Sequence, residues 1–143
     1  MSRAFIKESD GEDGAELPEL QVSPHRNLVT PAGLHQIEVT VGRLQSSLSE
    51  ARAVEDRPAI AQVQRDLRYW TERLRTAEVV AAPAATSTVR FGSKVLLAKQ
   101  GADRVEYQIV GEDEADPAHG RISYVSPLAR LLIGASVGDV IAA

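Results

Sequence analysis

The side chains best placed to do chemistry in this 143-residue chain are acids, and they gather in two places. Glu55 and Asp56 stand side by side in a short polar stretch, Glu50-Ala-Arg-Ala-Val-Glu-Asp-Arg-Pro58, with Arg52 and Arg57 beside them. Adjacent carboxylates can donate oxygens to a divalent cation. The same two residues also suit a helix start, with Asp56 capping free amides and Glu55 paired to an arginine in a solvated turn. The run Glu112 to Asp116 holds four acids but lacks the alternate-position ligands and turn glycine of a calcium loop, so it reads as a solvated turn. His25, His35 and His119 are far apart and have no acid or cysteine partners at metal-site spacing. The absence of cysteine removes thiolate sites and disulfides alike. We therefore expect no metal and no cofactor of the protein's own.

The tip acids lie between two matching stripes. Thr30-Pro31 is a helix start, with a hydroxyl to cap free amides and a proline at the first helical position. Leu34, Ile37, Val41, Leu44, Leu48 and Ala51 then recur in steps of three and four, the spacing that keeps one narrow apolar stripe facing a partner helix. Gly33 and Gly42 lower helical propensity somewhat. Ile60, Val63, Leu67, Trp70, Leu74 and Ala77 repeat the same steps, preceded by Asp56 as a cap and Pro58 in the first turn. About six residues join the stripes, so the helices double back as an antiparallel two-helix coiled-coil hairpin, projecting roughly 30 to 35 Å. Trp70 reads as a seam residue.

The periodicity changes after an Ala/Pro/Ser/Thr linker at residues 81–88. Val89 to Ala98, Arg104 to Val110 and Arg121 to Val125 have strand character and suggest an antiparallel sheet. Lys99 to Asp103, with Gly101, reads as a hairpin turn, and Gly111 to Gly120 as a longer acidic loop. Ser126-Pro127 opens a short helix, Leu128 to Ile133, ended by Gly134, and Val137 to Ile141 is a last strand. The expected fold class is α+β, in four parts: tail 1–28, hairpin 29–80, linker 81–88 and a small β domain with one short helix, 89–143.

Composition narrows the functional classes. The content of 43% hydrophobic, 25% charged and only 4% aromatic residues is that of a soluble chain with a modest aliphatic core. Residues 1–28 carry a net charge of −3 and read as a flexible acidic tail, in which Ala4-Phe5-Ile6 is an incidental apolar patch. Residues 29–80 hold seven acids and seven bases, and residues 81–143 seven acids and six bases. Neither has the basic excess of a direct duplex-DNA binder. No apolar run approaches the roughly 18 residues of a membrane span, and the start has no signal-peptide core, so a cytoplasmic protein is expected.

Several stretches together are specific. Tyr107-Gln-Ile-Val-Gly-Glu-Asp-Glu-Ala-Asp116, Gly120-Arg-Ile-Ser, Ser126-Pro-Leu-Ala-Arg-Leu-Leu-Ile-Gly134 and Val137-Gly-Asp-Val140 resemble the carboxy-terminal domain of the GreA/GreB family of bacterial transcription elongation factors. Leu28-Val-Thr-Pro-Ala-Gly-Leu34 is similar to that family's hairpin start, and Asp66-Leu-Arg-Tyr-Trp-Thr-Glu-Arg-Leu74 to its returning helix. The likeness runs from Leu28 to the end. It implies a helical hairpin that enters the secondary channel of RNA polymerase. It also implies an FKBP-like β domain that docks on a rim coiled coil of the largest polymerase subunit. By the same resemblance Ser126, Pro127, Leu128 and Arg130 meet the polymerase, although capping and helix-end roles also account for Ser126, Pro127 and Arg130.

In that family two tip acids, in a Gly-Asp-x-x-Glu-Asn-type motif, help hold a magnesium ion in the polymerase and stimulate cleavage of backtracked RNA. This chain has no such motif, and its rod is several turns shorter, resembling the Rnk-like variants. A carboxylate ligates a metal only within about 2 to 2.5 Å, so a tip that stops short contributes nothing to the ion. Three functions follow: a polymerase-binding elongation regulator without transcript cleavage and not itself an enzyme; an active cleavage factor using Glu55 and Asp56; and an FKBP-like prolyl isomerase. The last is disfavoured, because the domain offers only Phe91, Tyr107 and Tyr124 as pocket aromatics and fold alone confers no activity.

Overall fold

A computed structural model describes residues 17–84, 87–98 and 103–141. Its elements, in order, are β1 (Leu28–Val29), α1 (Pro31–Ala53), α2 (Arg57–Thr76), β2 (Glu78–Val79), β3 (Lys94–Ala98), β4 (Arg104–Val110), β5 (Arg121–Ser123) and α3 (Pro127–Leu132). Two long helices are thus followed by a small sheet with a short helix, the expected α+β class. Ala4-Phe5-Ile6 and most of the Lys99 to Asp103 turn lie outside the described residues.

The described residues fall into two compact units. One holds those up to His25 together with Gln36–Thr76, and the other holds Arg26–His35 together with those from Ala77 onward. These boundaries differ from the expected ones at 28/29 and 80/81, and backbone pairing gives the reason. β1 and β2 run parallel, with Leu28 opposite Glu78 and Val29 opposite Val79. The Glu78 amide donates to the Asn27 carbonyl at 2.8 Å and the Val80 amide to the Val29 carbonyl at 2.9 Å. Asn27, Val29 and Thr30 are buried there. Part of the expected acidic tail is also held within the helical unit, where Glu19 accepts from Arg68 Nε at 2.8 and 3.0 Å.

In the helical unit, Ile37, Val41, Leu44 and Ala51 are buried as the stripe requires, with Leu48 half-buried. Ile60, Val63, Leu67, Trp70 and Leu74 on α2 are only half-buried. A two-helix pair covers a stripe from one side and leaves its flanks to solvent, so this seam is wetter on α2 than heptad spacing alone suggests. Tyr69 and Trp70 meet edge to face, with ring centroids 5.1 Å apart. Leu34, in the first turn of α1, belongs to the other unit and is half-buried.

The second unit corrects the expected antiparallel sheet. Strand order is β3-β4-β5, with β3 antiparallel to β4 but β5 parallel to β4 in the register Gln108–Arg121, Ile109–Ile122, Val110–Ser123. The stretch from Gly111 to Gly120 is not a hairpin loop. It contains two 3-10 turns, Glu112–Glu114 and Pro117–His119, and carries the chain back so that β5 starts beside the middle of β4. Ile109, Ile122, Ala129 and Leu132 form the core, with Val89, Leu97, Tyr107, Tyr124, Leu128 and Ile141 packed against them. Burying an Ile or Leu side chain of this kind contributes about 1.5–3 kcal/mol.

The expected last strand, Val137 to Ile141, is absent. The Ser136 amide donates to Asp139 Oδ2 at 2.8 Å and the Asp139 amide to the Ser136 carbonyl at 3.0 Å, so this stretch closes into a turn. Val137 and Val140 are left 83% and 95% exposed. Residues 134–137 pair instead with residues 87–89: Val89 N to Ala135 O at 2.8 Å, Gly134 N to Val89 O at 2.8 Å, and Val137 N to Ser87 O at 3.0 Å.

Candidate functional site

The hairpin tip comprises Val54, Glu55 and Asp56, a tighter connection than the six residues expected. The Glu55 amide donates to the Arg52 carbonyl at 3.1 Å and the Asp56 amide to the Ala51 carbonyl at 3.0 Å. These two bonds are the paired closure of a Schellman motif, which places the residue after the helix in the left-handed region. Here that residue is Glu55, with φ of 55°, where glycine is usual. Asp56 Oδ1 accepts from the Ala59 amide at 3.2 Å, so Asp56 caps α2 as its position suggested. Both tip acids are exposed, as are Arg52 and Arg57. Geometry thus uses Asp56 to satisfy an orphan helix donor and Glu55 to turn the chain.

The short helix α3 presents its residues unequally. Ser126 Oγ accepts from the Ala129 amide at 3.2 Å, and Pro127 occupies the first turn. Pro127 and Arg130 are exposed, whereas Leu128 packs toward the core. The helix ends at Gly134, whose φ of 93° continues the chain away. Leu131 and Ile133, not singled out from the sequence, are 44% and 40% exposed beside Arg130.

Among the described residues, no three His, Asp or Glu side chains converge as a metal site would need. His119 Nδ1 instead lies 2.7 Å from Asp116 Oδ2, which Arg121 also approaches at 3.4 Å. The aromatic side chains of the sheet unit are spent on packing. Phe91 and Tyr124 stack edge to face at 5.5 Å, the Tyr124 hydroxyl donates to the Arg26 carbonyl, and Tyr107 lies against the core. The isomerase reading gains no support from them.

The acidic run departs most from its expected role as a solvated turn. Glu114 is only 9% exposed. Its carboxylate accepts from the Thr30 amide at 2.9 Å, from the Thr30 hydroxyl, and from the Gly111 amide at 3.1 Å. Thr30 Oγ1 in turn accepts from the Gly33 amide at 3.0 Å, completing the cap of α1. Two glycines make the approach possible. A Cβ at Gly33 would lie 2.1 Å from Glu114 Cδ, and one at Gly111 2.3 Å from the Leu28 carbonyl oxygen. The sequence signal for this arrangement is Gly33 itself, standing three residues after the cap where a capping box carries Glu or Gln.

Comparison with known proteins decides the family. A family model described as "Transcription elongation factor, GreA/GreB, C-term" matches residues 84–143. The chain is 34% identical over 134 residues to transcription elongation factor GreA of Lactococcus lactis subsp. lactis, covering 91% of this chain and 84% of that protein. The chain belongs to the GreA/GreB family. Another member, transcription elongation factor GreB of Pasteurella multocida, is 36% identical over 110 residues, or 69% of this chain and 70% of its own length. Among solved structures, the GreA factor homolog 1 (Gfh1) of Thermus thermophilus is 20% identical, with 82% of this chain and 88% of that one covered and a TM-score of 0.36. By its identity to these sequence relatives the chain is a GreA/GreB-type transcription elongation factor.

Proposed function

We propose that this GreA/GreB-type factor is a cytoplasmic regulator that binds RNA polymerase, places its hairpin in the secondary channel and modulates elongation without stimulating transcript cleavage. In this reading it is not an enzyme, brings no cofactor, and docks on the rim coiled coil of the largest subunit through α3, with Pro127 and Arg130 at the contact and Ser126 and Leu128 holding them in place.

The observation that carries the reading is the tip. α1 has 23 residues, giving a rod of about 35 Å. At its end stand Glu55, whose backbone forms the reversal, and Asp56, whose carboxylate caps the returning helix, so one of the two tip carboxylates is already committed to the fold. A ligand carboxylate has to reach the ion within about 2 to 2.5 Å, and Asp56 already gives an oxygen to Ala59. Occupying the channel needs only a rod and a docking surface.

The second reading, a cleavage factor using Glu55 and Asp56, is favoured by the exposure of both acids. Adding the protein to stalled, backtracked elongation complexes separates the two. The expected result is no release of short 3′ RNA fragments. Their appearance, and loss with Glu55→Ala and Asp56→Ala together, would establish the cleavage factor instead. Docking is tested separately by polymerase capture, which Pro127→Asp is expected to weaken at least tenfold; full retention would reject the α3 assignment.

A further inference from the structure

We propose that Glu114 is a positioning residue that completes the cap of α1 from the end of β4, and that the effect of the bound factor on elongation depends on that completed cap. The proposal rests on the polymerase-binding reading for its consequence, but its structural half stands alone.

An ordinary capping box closes within one helix. The cap hydroxyl takes the amide three residues on, and the Glu or Gln at that third position reaches back to the cap residue's own amide. In α1 only the first half is local: Thr30 Oγ1 takes the Gly33 amide, and position 33 has no side chain to return the bond. The missing carboxylate arrives from 84 residues away. Glu114 binds the Thr30 amide at 2.9 Å as well as the Thr30 hydroxyl. The same carboxylate binds the Gly111 amide at 3.1 Å, at the point where β4 gives way to the loop. One buried side chain therefore joins the helix start to the end of a core strand.

The two glycines are explained by the same contact. The Glu114 carboxylate fills the space that a Cβ at Gly33 would need, and Gly111 passes so near β1 that a Cβ would meet the Leu28 carbonyl oxygen. Alanine would favour the helix at position 33 by about 1 kcal/mol over glycine, so retaining glycine there has a steric reason.

Hydrogen exchange and transcription assays on the full chain test the proposal. Glu114→Ala is expected to raise exchange of the Thr30 and Gly33 amides at least tenfold while leaving the interior of α2 unchanged. Gly33→Ala is expected to reproduce this by displacing the carboxylate. With polymerase, both variants should bind within threefold of the wild type yet lose at least fivefold of the maximal effect on elongation at saturating factor. A merely structural Glu114 would lower binding and effect in step. Unchanged exchange at Thr30, or parallel loss of binding and effect, overturns the assignment. Should Glu114→Ala not fold, Glu114→Gln, which keeps the volume and removes one carboxylate oxygen, is read by the same criteria. Failure of the wild type to bind polymerase rejects the proposed function instead, and exchange alone then decides the clasp.

Discussion

Replacing Glu55 by glycine tests whether the tip acid is there for geometry or for chemistry. Glu55 occupies the left-handed position that closes α1, with φ of 55°. A side chain in that conformation costs about 1–2 kcal/mol, because Cβ crowds the following carbonyl oxygen. Glycine removes that strain but gives the unfolded chain more freedom, an opposing effect of about 0.4–1 kcal/mol. The exposed Glu55 side chain has no ion pair to lose among the described residues. The net expectation for Glu55→Gly is a gain of about 0.5–1 kcal/mol. For a chain of this size each kcal/mol moves Tm by roughly 2–4 °C, so a rise of about 1–4 °C is expected in calorimetry or by circular dichroism. The effect on elongation should be unchanged. A lower Tm would mean that the side chain contributes more than the strain removes, and loss of the elongation effect would mean that the carboxylate acts in the channel; either refutes the geometric account.

Two further outcomes follow from the sheet unit. Leu132 is 1% exposed in the core, so Leu132→Ala should destabilise that unit by about 2–5 kcal/mol in chemical denaturation; a change below about 1 kcal/mol would contradict the assigned core. The Arg26 guanidinium donates to Glu78 Oε1 at 2.6 Å and holds that carboxyl below its ordinary value of 4.5. A depressed folded value means the contribution is present above 4.5 and disappears as pH falls through the folded value. Glu78→Gln should therefore differ from the wild type in Tm at neutral pH and converge with it in acid, and a difference that persists or grows in acid would contradict the ion pair.

Local patterns carried most of the helical structure. Thr30-Pro31, the three-four stripes and Asp56-Arg-Pro58 were enough to place α1, α2 and their caps, because capping and helical periodicity act over a few residues. Ser126-Pro127 and Gly134 placed α3 for the same reason. The family, too, was legible in ordered motifs spread from Leu28 to Val140. The sheet was less so. Strand character in Arg121 to Ser123 says nothing about direction, which depends on how the residues from Gly111 to Gly120 return the chain. Val137 to Ile141 had the composition of a strand, but Asp139 closing on Ser136 prevailed over β propensity.

What the sequence determined by itself was a two-helix rod with a short tip lacking the paired-acid motif, followed by a small β unit. Only the tertiary structure decided that Glu114 is buried on Thr30 rather than solvated, and that Gly33 makes room for it. The physical reason is range. A cap within one helix is written in neighbouring residues, whereas a carboxylate supplied across 84 positions depends on where the fold places two distant segments, and no local propensity encodes that.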